Sequence, residues 1–141
     1  MWNEIVNKKD IDKLMEEYGS FHDSCIISVN YQSGYSVDDE LSMHFSDSKD
    51  HILSIVFKRQ YKPITLEMQF IGLRQCNLIG WQENYLNDIY DAHLSFIRKS
   101  MDGKVDKLIL WADYEEFDIN DKDRETCTYV LADSARWRFI D

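Results

Sequence analysis

The chain is poor in the residues that staple or punctuate a fold. Of 141 residues, one is proline (Pro63), five are glycine and three are cysteine. So little Pro and Gly excludes collagen-like and low-complexity architectures. Cys25, Cys76 and Cys127 are odd in number and widely spaced, with no CxxC. That excludes a disulfide framework and a zinc ribbon. Each falls in a strand-like run, where a thiol is expected to act as a small buried hydrophobe. No apolar run approaches the ~20 residues that span a bilayer. Met1-Trp2-Asn3-Glu4 opens no basic segment followed by an apolar stretch, so the expected compartment is cytoplasmic.

Positive charge is also scarce. Twenty-six acids face sixteen Lys and Arg, a net charge of −10. The deficit is even: 12 acids and 7 bases in residues 1–70, 14 and 9 in residues 71–141. A chain without a basic arm is not built for non-specific nucleic-acid binding, nor for an anionic membrane surface. A basic partner protein is electrostatically easier. The phosphate-loop, HExxH, GxSxG and EF-hand patterns are all missing, and the glycines are too sparse for a dinucleotide fingerprint. No cofactor, metal site or catalytic set is expected.

What is present suits one α+β domain over residues 1–141. Apolar residues make up 44%, and four Trp, eight Tyr and seven Phe supply large side chains that favour strands. The spacing of Ile11, Leu14, Met15 and Tyr18 predicts a helix over 9–18, capped by Asp10 and stopped by Gly19. Beyond Phe21-His22-Asp23, period-two patterns dominate. They run through residues 25–31, where the odd positions are apolar, and through 41–46, 52–58 and 64–70. Burial is expected for Leu41, Met43, Phe45, Leu53, Ile55, Phe57, Ile64, Leu66, Met68 and Phe70. Further strands are expected over 73–79, 91–98, 127–131 and 135–140. A loop with one helical turn spans 82–90, and Asp102-Gly103 marks a hairpin. Residues 108–112 are apolar on both faces, so that strand should be central. Together these predict an antiparallel meander, curved or partly closed like a barrel, with the N-terminal helix packed on it.

Three groups of residues can carry function. His22 and Asp23 could form a base or a metal pair with Asp88, Asp91 or Asp133, which would make a small metal-dependent hydrolase. The structural reading has Asp23 or Ser24 bonding the turn and His22 bonding a carbonyl. Trp81, Trp111 and Trp137 could line a concave, ligand-binding sheet, with Trp111 better read as core and Trp81 as exposed. His44 and His93 should face outward. Segment 113–125 holds seven acids and two bases. Within it Tyr114, Glu115, Glu116, Phe117, Asp118 and Asp121 have the make-up of a docking surface, aromatic anchors with a charged rim. Asp38-Asp39-Glu40 would add to that field.

The string Phe21-His22-Asp23-Ser24-Cys25 after a helix, then short alternating strands, then Ile109-Leu110-Trp111-Ala112-Asp113, then Ala132-Asp133-Ser134 with Trp137, resembles small uncharacterised bacterial proteins. Some of these are predicted immunity proteins of polymorphic-toxin systems. The resemblance implies a cytoplasmic, non-enzymatic protein that neutralises a toxin domain. A basic toxin would be steered onto the acidic loop.

Overall fold

The computed structural model describes residues 1–84, 86–101 and 103–141. Its single long helix, α1 (Lys8–Glu17), starts one residue before the expected point because Asn7 is the cap. The Asn7 side chain accepts from the Asp10 backbone N–H at 3.1 Å, and Asp10 accepts in return from the Asn7 N–H at 3.2 Å. Asp10 therefore closes a capping box from the third helical position. Ile11, Leu14 and Tyr18 are buried and Met15 is half-buried, so the predicted apolar face is the face that packs. No basic residue lies in the last turn. The buried Arg59 stands in, donating to the Glu17 carbonyl at 3.3 Å with its guanidinium 4.4 Å over the Tyr18 ring. A cation there complements the helix dipole.

The strands are β1 (Asn3–Ile5), β2 (Cys25–Gln32), β3 (Ser36–Val37), β4 (Met43–His44), β5 (Ile52–Lys58), β6 (Thr65–Asn77), β7 (His93–Met101), β8 (Lys104–Ala112) and β9 (Tyr129–Phe139). Seven of them form one antiparallel sheet in the order β2-β5-β6-β9-β8-β7, with β1 beside β9. The sheet is not closed into a barrel. It also departs from a simple meander, because β9 inserts between β6 and β8. One edge of β9 pairs with β6 along its length. The other pairs with β8 at Tyr129–Ala132 and with β1 at Ala135–Trp137. β3 and β4 form a separate two-stranded ribbon.

Two pairs of expected strands are each a single bent strand. Residues 64–70 and 73–79 merge into β6, and 127–131 and 135–140 merge into β9. The register between them shifts at Leu73/Gln75. There Gly72 adopts φ 72°, and the N–H groups of Gly72 and Leu73 both donate to His51 O, at 2.9 and 3.1 Å. A glycine lets the strand bend without ending. The expected hairpin is present, in that Met101 pairs with Lys104 and Gly103 has φ 78°. Asp102 itself lies outside the described residues.

The sheet has a core on each face. The main one gathers α1, Phe21, β5, β6, Ile109, Trp111, Val130 and Trp137. The second gathers Leu108, Leu110, Ala112, Tyr129 and Leu131 beneath Phe117. β8 is thus covered on both faces, as its composition requires. The indole Nε1 of Trp111 is buried with no hydrogen-bond partner among the described residues.

Several expectations are corrected. Leu41, Met43 and Phe45 are 85, 59 and 74% exposed, because the β3–β4 ribbon has no layer over it. Ile64 is half-buried, whereas Leu53, Ile55, Phe57, Leu66, Met68 and Phe70 are core. In β2 the register shifts between Ile26 and Ser28, which breaks the period of two. Ile26 and Val29 pack inward, and Ile27 and Tyr31 face out. Cys25 and Cys76 are exposed, the first on an edge strand and the second beyond the β6 bend. Among the described residues of 82–90 there is a turn and no helical turn. No helix among them is long and apolar enough to cross a membrane.

Candidate protein-docking face

The Phe21-His22-Asp23-Ser24 junction ties the segment ahead of β2 to the segment ahead of β7. Gly19, Ser20, Phe21 and Asp23 all have positive φ, of 58°, 56°, 62° and 55°. A bulky residue such as Phe21 rarely tolerates this, and each such residue costs about 1–3 kcal/mol. Burial offsets the strain. Phe21 is fully buried, with ring centroids 5.2 Å from Tyr18, 5.0 Å from Phe57 and 5.8 Å from Trp111. The twisted backbone is then free to strap the segment ahead of β7. Asp23 N donates to Ile89 O and Ile89 N to Ser24 O, both at 2.8 Å, and Ala92 N donates to Ser20 O at 2.9 Å.

His22 belongs to this strap. Its Nδ1 bonds the carbonyl of Tyr90, and its ring lies 5.0 Å from the Tyr90 ring, edge to face. Asp23 and Asp91 each stand 3.3 Å from a ring nitrogen. The Tyr90 carbonyl, which the charged ring bonds, and then the two carboxylates hold the His22 pKa above its ordinary value. Asp91 is the one proposed third partner that the fold delivers. Among the described residues no group of three or more His, Cys, Asp or Glu side chains is placed to hold a metal ion. The histidine's visible work is to fix Tyr90 and Asp91.

Beside this strap opens a groove of about 650 Å³. It is lined by residues 25–29 of β2, 78–80 and 86–89, with Asp113 and Thr128. Ile27, Leu78 and Leu86 present exposed apolar surface there. β2 is an edge strand, paired with β5 alone in the sheet. Thr128 is buried, and its Oγ1 accepts from Ile79 N at 2.9 Å, which fixes the chain leaving β6.

A smaller recess of about 210 Å³ continues from the groove, lined by Tyr90, Asp91, Asp113, Tyr114, Glu115 and Glu116. Asp113 belongs to both. Its carboxyl accepts from Thr128 N at 3.2 Å, and burial holds its pKa above the usual carboxylate range. Tyr114 is 50% exposed and donates to Glu116 at 3.1 Å. Groove and recess together carry the carboxylates of Asp88, Asp91, Asp113, Glu115 and Glu116, and no Lys or Arg among the described residues.

The predicted docking residues are thus split. Tyr114, Glu115 and Glu116 lie on the recess. Phe117 is 6% exposed and stacks on Tyr129 at 4.9 Å, so its ring serves the second core and not a partner. Asp118 and Asp121 are exposed, but each accepts from a backbone N–H two residues on, at 2.9 Å, and so shapes the loop's own turns. Asp38 sits apart on the ribbon, held 2.7 Å from His44. Of the tryptophans, Trp111 and Trp137 are buried and Trp81 is exposed next to the groove residue Gly80. Sequence reasoning missed the groove. The available signal was the density of large side chains over 81–90, Trp81, Leu86 and Tyr90 among them, in a segment expected to be a polar loop. Comparison with protein-family models, with curated proteins and with solved structures gives no match.

Proposed function

We propose that the chain is a non-enzymatic protein-binding module whose partner presents basic and apolar side chains together. The observation that carries this is one continuous surface, in which exposed Ile27, Leu78, Leu86, Tyr90 and Tyr114 adjoin five carboxylates with no Lys or Arg in the lining among the described residues. Aromatic anchors inside a charged rim are the anatomy of protein interfaces. The sequence resemblance supports the narrower reading of an immunity-type inhibitor, acting on a basic toxin domain in the cytoplasm. The acidic rim would steer such a target and the groove would seat it.

The test uses photo-crosslinkers placed at Tyr90 and at Phe45, on opposite regions of the chain, in the source cell. A basic protein is expected from position 90 and not from 45. With that partner purified, reversing Glu115 and Glu116 to Lys should slow association about tenfold at low salt. The difference should shrink at physiological ionic strength, where screening shortens to ~8 Å. Tyr114→Ala should act on dissociation. Association equally fast with both charges reversed, at every salt concentration, places the interface elsewhere.

A further inference from the structure

The second concavity of the molecule has different chemistry. A cleft of about 660 Å³ lies between β7, Leu110 of β8 and the loop that arches over the second core. It shares no lining residue with the groove or the acidic recess. Its apolar part is Ile97, Leu110, Phe117 and Ile119, and its polar part includes His93, Ser95, Lys99, Asn120 and Arg124. A concavity of this size, in which an apolar patch meets several convergent polar groups, can seat a small polar molecule.

Arg124 gives the ligand its sign. It is half-buried in a loop of seven carboxylates, yet none of them lies within 4.0 Å of its guanidinium among the described residues. The one hydrogen bond of its guanidinium among the described residues is a long one, 3.5 Å, to the Asp121 carbonyl. Other arginines here meet a carboxylate closely: the half-buried Arg138 meets Glu67 and the exposed Arg74 meets Asp133, each at 2.8 Å. A partly desolvated guanidinium without a counter-charge is costly unless something else supplies one. Arg98 and Lys99 add two more cations without an ion pair among the described residues. The only lining carboxylate among the described residues, Asp118, accepts from Asn120 N and so shapes its own turn. His93 is oriented too. Glu115 O can only accept, so Nδ1 at 3.2 Å carries the proton and Nε2 takes the Ser95 hydroxyl at 2.7 Å.

We propose that this cleft binds a small organic anion, its carboxylate, sulfonate or phosphate head on Arg124 and Lys99 and its apolar body on Ile97, Leu110 and Ile119. The net charge of −10 slows the approach of such a ligand but leaves the local pairing intact. The probe is 1-anilinonaphthalene-8-sulfonate, which joins an anionic head to an apolar body. It is titrated into the full chain by fluorescence, and its site is mapped by amide NMR. Shifts should concentrate on residues 93–99, 117–120 and 124. Arg124→Gln should weaken binding about tenfold, as loss of a charge-assisted hydrogen bond predicts, and Arg124→Lys should restore part of it. Lys99→Gln, on the opposite wall, gives a second and independent loss. Shifts centred on residues 25–29 and 86–89, or equal affinity in wild type, Arg124→Gln and Lys99→Gln, would overturn the assignment. Either result leaves the protein-docking reading standing, since none of these side chains lines that surface.

Discussion

Two stretches of the chain carry the same pattern and meet opposite fates. Leu41-Ser-Met-His-Phe45 and Leu66-Glu-Met-Gln-Phe70 alternate identically and differ little in apolar content. In the second, all three apolar side chains are fully buried; in the first, all three are exposed. The difference lies in what the rest of the fold can bring over each face. β6 has strand neighbours on both edges and α1 with Phe21 over its apolar side. β4 has two residues, pairs only with the two-residue β3, and carries no layer. Alternation states that a strand has an apolar face; it does not state that anything covers it.

The comparison breaks most sharply in the core. Phe57 and Leu66 are directly opposed across β5 and β6, and both are fully buried. Either one truncated to alanine should cost about 2–5 kcal/mol, read by chemical denaturation, because the cavity cannot collapse between two paired strands. The double variant should cost less than the sum of the two, since the residues share one space. Losses below about 1 kcal/mol would mean that this face is far less tightly packed than its burial implies.

How much was legible follows from the same logic. The helix, the inward set of β5 and β6, the double-sided β8 and the hairpin at Gly103 are encoded by short-range periodicity and turn chemistry, and a single sequence displays both. The insertion of β9 between β6 and β8 is a pairing of distant segments, which periodicity does not encode. The register shift in β2 hides because one extra residue moves every later side chain to the other face. Of the candidate site, Tyr114, Glu115 and Glu116 were visible as charge and aromatic content. Phe117 looked the same in sequence and is buried, because only the fold places Tyr129 beneath it. His22 was visible as chemistry, but its bond to Tyr90 spans 68 residues.

The bend that distinguishes β6 from a flat strand offers the next test. Gly72 has φ 72°, and an added Cβ would run into Asp133 Oδ2 and stand 2.7 Å from its Cγ. Asp133 cannot swing away freely, because Arg74 holds its carboxylate at 2.8 Å. Gly72→Ala should therefore cost about 1–3 kcal/mol through strain and crowding together. The measurement is again the denaturation midpoint. A loss under about 0.5 kcal/mol would show that the bend tolerates a side chain and that the long strand is set by its pairing alone.

The smallest effect is expected in the ribbon, and it decides whether the contrast between the two stretches is real. Phe45 is exposed, but it meets the Tyr35 ring edge to face at 5.2 Å, and Tyr35 in turn lies 5.1 Å from His51. His51 is anchored to the sheet by the Tyr31 hydroxyl at 2.7 Å, and Ser46 Oγ bonds the Ser33 carbonyl. These polar ties hold the base of the ribbon without calling on Phe45. An exposed aromatic pair contributes about 0.5–1.5 kcal/mol beyond area at best, and solvent already reaches most of this ring. Phe45→Ala should thus shift global stability by no more than about 0.5 kcal/mol, as for ordinary surface positions. Amide exchange in residues 36–44 should quicken, since the Phe45–Tyr35 contact no longer opposes local opening there. If Phe45→Ala instead destabilises the whole domain as Phe57→Ala does, the ribbon folds back onto the sheet in solution, and the alternation at 41–46 encodes core after all.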